Sequence, residues 1–111
     1  MLRRYCMALD LKNDDALISE YEEYHKDVWP EIIDSIKSSG IEKLSIYRAG
    51  NRLLMTMEVN EMFSFEAKGK ADAVNEKVQQ WEALMWQYQQ ALPFAKPGEK
   101  WILMDKIFNL Q

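Results

Sequence analysis

His25 is the one histidine of the chain, and an imidazole, with an ordinary pKa of about 6.5, can give or take a proton at neutral pH. Tyr21 precedes it by four residues and Trp29 follows it by four, a spacing that sets the phenol beside the imidazole on one helical face. Two readings of His25 stand at this level: an acid–base group, or a core histidine hydrogen-bonded for packing. Pro30 bears on the choice, because a proline inside a helical pattern lacks the amide owed to the carbonyl of Lys26 and costs about 3 kcal/mol in a regular interior. The helix therefore must kink or break near Trp29, and local irregularity of this kind gathers at functional sites.

Other chemistries fail on inventory. One His and one Cys give no zinc set, and no carboxylates cluster at helical spacing for a two-metal site, so no metal is expected. The glycines are isolated, no Ser sits in a nucleophile elbow, and Cys6 on the first strand reads as a structural thiol without a base at hand. Trp81, Trp86, Tyr88 and Trp101 are abundant for the length; rings at helical spacing serve either as core or as a platform for the C–H face of a sugar.

The elements that must position these groups alternate in type. Leu2 to Leu11 has strand period, with Tyr5, Met7, Leu9 and Leu11 on one face. Asn13, Asp14 and Asp15 offer caps to a long helical run through Ile18, Tyr21, His25, Val28, Ile32 and Ile36, which Gly40 stops. Ile41 to Tyr47 and Arg52 to Val59 read as a hairpin joined through Ala49, Gly50 and Asn51, with Leu53, Met55, Met57 and Val59 inward. A short apolar segment around Phe63 and Phe65 leads to a second helix whose seam is Val74, Val78, Trp81, Leu84, Met85 and Tyr88, ended by Pro93. Pro97 and Gly98 turn the chain into a last strand from Trp101 to Phe108. The order β-α-β-β-α-β predicts an α+β, ferredoxin-like sandwich with an antiparallel sheet and helices on one face. Leu54, Ile102, Met104 and Phe108 fall on the other face, which a homodimer would cover.

At 111 residues the chain is sized for one domain, 1–111, and 48 % hydrophobic with 29 % charged residues describes a folding globular protein. Fourteen Lys and Arg against 18 Asp and Glu, with no long block of either sign, give counterion-release binding little to use, so nucleic acid is not an expected partner. No signal peptide and no stretch of about 20 apolar residues is present, so no membrane partner is expected; with a single cysteine, this points to a cytoplasmic protein.

The run Tyr21-Glu22-Glu23-Tyr24-His25-Lys26-Asp27-Val28-Trp29-Pro30-Glu31, Ile46-Tyr47 before the hairpin, Val78-Gln79-Gln80-Trp81, and the closing Ile107-Phe108-Asn109-Leu110 together resemble the L-rhamnose mutarotase family. The Y-x3-H-x3-W-P-E signature is the most specific part, and the resemblance covers nearly the whole chain. It implies a dimeric α/β barrel of ferredoxin-like units that interconverts the α and β anomers of a 6-deoxyhexose with no cofactor. By the same resemblance His25 is the acid, delivering a proton to the ring oxygen, and Tyr21 contacts the sugar. The partner base stays open among Tyr21, a water and the recycled His25. Trp29 and Trp81 would supply apolar walls, and Tyr47 joins the substrate-binding set.

Two positions depart from the rhamnose pattern: Glu82 stands where a second tryptophan would follow Trp81, and Leu44 where a sugar-contacting tyrosine would be. L-rhamnose and L-fucose differ in the configuration of ring hydroxyls, so replacing an aromatic by a carboxylate re-sorts hydroxyl partners and makes L-fucose a candidate beside L-rhamnose. The rival readings are a cofactor-independent monooxygenase or haem-degrading enzyme on the same dimeric ferredoxin-like fold, and a non-enzymatic effector-binding module.

Overall fold

Leu9, Leu11, Leu53 and Val59 are almost wholly removed from solvent, and they mark the inner face of the sheet in a computed structural model that describes residues 2–110. Met1 and Gln111, the ends of the expected 1–111 domain, lie outside the described residues. Strand β1 (Arg3–Leu11) pairs antiparallel with β3 (Arg52–Val59) in a register that sets Leu9 against Leu53 and Met7 against Met55. Because side chains alternate along a strand, this register places both odd-numbered rows on one face. Strand β2 (Ile41–Ala49) pairs with the other edge of β3, and an irregularity between Ile41 and Lys43 inserts Glu42 as an extra residue. That bulge changes the parity, so Leu44 and Ile46 stand opposite Met57 and Met55 and join the inner face.

The free edge of β1 carries two short strands in one lane: β4 (Gln89–Gln90) against Asp10 and Leu11, then β5 (Ile102–Leu103) against Met7 and Ala8. The sheet order β2-β3-β1-β4, all pairs antiparallel, is the expected ferredoxin-like arrangement. Its last lane differs from expectation. The strand read as Trp101 to Phe108 shrinks to Ile102–Leu103 plus one further bond from the Met104 amide to the Cys6 carbonyl, 2.8 Å; Gln89 and Gln90 hold the lane beside Asp10 and Leu11, and residues 105–108 add no ladder to β1.

The first helical run divides as Pro30 requires. Helix α1 (Asp15–Tyr24) starts at Asp14, whose carboxylate accepts from the Leu17 amide at 3.0 Å, and α2 (Pro30–Ser38) begins anew on the proline itself. At the first helical position the missing amide is one that would have no partner, so the interior penalty is avoided. The segment around Phe63 and Phe65, expected only as a short apolar lead-in, itself forms a helix, and the second helical run starts after Val74. Ser64 caps α3 (Phe65–Ala73), a helix with no buried residue, and Asn75 caps α4 (Glu76–Trp86). Val74 thus belongs to no apolar seam and is 84 % exposed, while Tyr88 lies beyond the end of α4 and packs into the core, well before Pro93. The helices pack on the inner face through Ile18, Tyr21, Ile32, Val78, Trp81 and Met85 against Leu11 and Leu53. Among the described residues no helix is long and apolar enough to cross a membrane.

Two glycines close these units. Gly50 (φ 60°) leads the two-residue turn between Ala49 and Arg52, and Gly40 (φ 99°) follows α2. A methyl group on Gly40 would lie 2.6 Å from Asn60 Oδ1 and 3.0 Å from the Phe63 amide nitrogen, whereas one on Gly50 meets open space. Both substitutions to alanine carry the backbone strain of a positive φ, about 1 kcal/mol or more. Gly40→Ala should therefore destabilise the protein clearly more than Gly50→Ala in chemical denaturation, and equal losses would show that the contact with Asn60 and Phe63 relaxes freely.

Candidate active site

The end of α1 sets the geometry of His25. In a continuing helix its amide would bond the carbonyl of Tyr21; instead the last turn tightens, and the His25 amide donates to Glu22 O at 3.1 Å and the Lys26 amide to Glu23 O at 3.1 Å. The Tyr21 carbonyl is left to His25 Nδ1, 2.8 Å away. A carbonyl only accepts, so Nδ1–H donates, and in the neutral ring the lone pair resides on Nε2. Nε2 has no hydrogen-bond partner among the described residues. The imidazole leans on the Tyr21 ring, centroids 4.4 Å apart, and meets the edge of Trp81 at 5.8 Å.

His25 and Tyr21 line a cavity of about 530 Å3 between the inner sheet face and α2 and α4. A second cavity of about 340 Å3 adjoins it, sharing Leu44, Met55, Trp81, Gln89 and Trp101 as walls. Both volumes lie in the range of small-molecule pockets, about 300–1,000 Å3. Trp81 is the pivot of the walls. It is buried, and three rings hold it from the α1–α2 side: Trp29 at 5.1 Å, His25 at 5.8 Å and Tyr24 at 6.3 Å, all edge-on.

Of the residues expected at the site, His25, Tyr21, Trp81 and Leu44 border the larger cavity. Glu82 is half-buried and lines only the smaller one, beside Lys100, whose ammonium donates to the Glu82 carbonyl at 3.2 Å. Burial pulls the Lys100 pKa below its ordinary value while the Glu82 charge pulls it back up. Trp29 does not line either cavity; it backs Trp81. Tyr47 is not brought to the site. It pairs with Leu54 on the outer row of the sheet and is 60 % exposed, facing away from His25.

Several polar groups that line the cavities went unread in the sequence, Gln89, Lys68 and Asp72 among them. Gln89 lines both cavities and its Nε2 donates to the Tyr21 hydroxyl at 3.4 Å, and Lys68 and Asp72 form a 3.0 Å pair on the smaller cavity. Lys68 and Asp72 carry an i, i+4 spacing that marks them only as a helical pair. Among the described residues no three His, Cys, Asp or Glu side chains gather as a metal-ligand set.

A ferredoxin-like α+β unit whose helices and sheet enclose a pocket bearing an oriented imidazole and a buried phenol is the class that fold and geometry define. The family model described as L-rhamnose mutarotase matches residues 4–110, and the chain belongs to that family, an isomerase of the aldose mutarotase kind. An L-fucose mutarotase of Xanthomonas campestris pv. campestris is 47 % identical over 111 residues, covering 98 % of this chain and 89 % of the relative. Among solved structures, the L-rhamnose mutarotase of Formosa agariphila superposes with a TM-score of 0.72 at 23 % identity, covering 98 % of this chain and 99 % of that one. Tetracenomycin F2 cyclase of Streptomyces glaucescens, a type-II polyketide cyclase, reaches 0.62 at 16 % identity, covering 98 % and 97 %. These two structural likenesses speak to the fold.

Burial raises the Tyr21 pKa above its ordinary 10.0, with the Gln89 hydrogen bond pulling the other way by less. The phenol is neutral at pH 7. A raised pKa in the folded state means the unfolded chain loses this proton first, so the stabilisation is complete below pH 10.0 and is lost as pH rises through the folded value. Denaturation midpoints should fall as pH rises above 10.0, and Tyr21→Phe should fall less steeply; parallel curves for both proteins would contradict the assignment.

Proposed function

We propose that this mutarotase acts on L-fucose, with His25 as the proton-carrying group and residues 1–111 as one catalytic domain. The observation that carries the proposal is the orientation of the imidazole: Nδ1–H is committed to the Tyr21 carbonyl, and Nε2 is left for the cavity that Tyr21 and Trp81 also line. In the protonated form, Nε2–H gives its proton to the ring oxygen as the bond from that oxygen to C1 breaks. The anomeric hydroxyl passes its proton to a water as its own bond to C1 becomes the aldehyde C=O. Rotation about C1–C2 exposes the other face, and the reverse proton transfers close the ring and restore His25.

Tyr21, held neutral by burial, is a hydrogen-bonding contact for the sugar rather than a resting base, which leaves water and the recycled His25 for that role. Trp81 offers an apolar wall. L-fucose is favoured over L-rhamnose by the 47 % identity to a protein named L-fucose mutarotase, and by Glu82, whose carboxylate beside the smaller cavity can accept from two neighbouring hydroxyls. The free thiol of Cys6 suits a reducing compartment, and a cytoplasmic setting is part of the proposal.

A homodimer is also proposed. Tyr47 and Met104 stand exposed, followed by Ile107, Phe108 and Leu110 at 95 %, 76 % and 85 % exposure, more apolar surface than a monomer ordinarily leaves to water. A second copy would bury it, and light scattering at micromolar concentration should give twice the mass of the chain; a stable monomer would contradict this.

Anomer exchange measured by NMR on L-fucose and L-rhamnose tests the function directly. The native protein should accelerate exchange of L-fucose more than of L-rhamnose, and His25→Ala should lose about a hundredfold while its unfolding curve remains native-like. Undiminished exchange in the folded variant would remove His25 from the mechanism, and a preference for L-rhamnose would overturn the substrate.

A further inference from the structure

Gln89 is 6 % exposed, and its Oε1 is buried without a hydrogen-bond partner among the described residues. A buried amide oxygen in that state is rare in folded proteins and calls for a reason, such as a group that arrives with a ligand. The backbone around it is fixed: Gln89 pairs with Leu11 in the short strand β4, and the Tyr88 carbonyl accepts from the Lys12 amide at 2.8 Å. The other end of the amide meets the Tyr21 hydroxyl at 3.4 Å. Gln89 lines both cavities, at the wall they share, where Leu44, Met55, Trp81, Met85 and Trp101 are all apolar or aromatic.

We infer that Gln89 is a specificity-determining residue of the sugar pocket, bridging the Tyr21 hydroxyl and one ring hydroxyl of the bound 6-deoxyhexose. The inference deepens the proposed function and rests on it. Among the described residues the amide has a partner at one end only. A hydroxyl lodged at the shared wall supplies the second, reached by turning the terminal amide torsion, which is broad and soft. A hydroxyl both donates and accepts, so either end of the amide can be matched. A site built this way binds the hydroxylated sugar and rejects the analogue that lacks the hydroxyl, because the amide would again be left unpaired. The same contact ties sugar selection to Tyr21, one helical turn from His25.

The test compares anomer exchange of L-fucose with its 2-, 3- and 4-deoxy analogues in the native protein and in Gln89→Met, an apolar side chain of similar length. The native protein should exchange one of the three analogues about 10- to 100-fold more slowly than L-fucose. Gln89→Met should slow L-fucose by a similar factor and treat that analogue and L-fucose alike. Its thermal midpoint should be unchanged or raised, since no orphaned carbonyl remains; a residue kept only for structure would lower the midpoint and slow every sugar equally. Gln89→Asn, which keeps the amide and shortens its reach, makes the same comparison should methionine impair folding. Native ranking of the analogues retained in these variants, or a uniform loss accompanied by a lower midpoint, would overturn the inference. Absence of exchange by the native protein on every sugar would instead overturn the proposed function, and the role of Gln89 with it.

Discussion

A peptide carbonyl can only accept a hydrogen bond, and the orientation of His25 depends on how the carbonyl of Tyr21 finds its donor. Were α1 to continue, the amide of residue 25 would take it, and the imidazole would be free to turn. Pro30 cannot supply an amide to a continuing helix, and the chain between Tyr24 and Pro30 tightens into bonds from His25 to Glu22 and from Lys26 to Glu23. The Tyr21 carbonyl is released to Nδ1, which fixes the tautomer of the neutral ring and leaves Nε2 unpartnered among the described residues on a ring that lines the pocket. The proline that would be a liability inside a helix thereby becomes the first residue of the next one.

The rest of the structure supports that one contact. Trp81 packs edge-to-face with Trp29, His25 and Tyr24, so the imidazole has a wall on one side and the Tyr21 ring on another. Arg48 at the end of β2 donates to Glu22 at 2.8 Å, tying the last turn of α1 to the sheet. Beneath them the inner rows of β1 and β3 give a flat apolar floor, and the bulge at Glu42 turns Leu44 onto it. Charge and polarity inside such a pocket are weakly screened, so a few polar groups, His25, Tyr21 and Gln89, carry more weight there than they would in water.

Much of this was legible in the residues themselves. Helical spacing brought Tyr21 and His25 together, Pro30 announced the break, and the alternation of Leu53, Met55, Met57 and Val59 gave the inner face, because these features depend on neighbours a few positions away. Strand arithmetic also had more to say about Tyr47: three residues from Leu44, it cannot share a face with it, and it lies on the outer row. What stayed hidden depends on distant pairing. The division of one sheet lane between Gln89–Gln90 and Ile102–Leu103 follows from what β1 leaves unpaired, and no local pattern marks it. Gln89 went unread for the same reason: a polar residue after an apolar seam reads as surface until the strand pairing shows it buried beside Tyr21.

That His25 is the chain's one histidine makes the central contact directly observable, since imidazole nitrogens of the 15N-labelled protein arise from a single ring. The tautomer can be read from the two nitrogen shifts at a pH where the ring is neutral. A protonated Nδ1 and an unprotonated Nε2 are expected, with the Nε2 resonance responding when L-fucose is added. A proton on Nε2, or an even mixture of tautomers, would contradict the fixed bond to the Tyr21 carbonyl and with it the placement of His25 as the proton carrier.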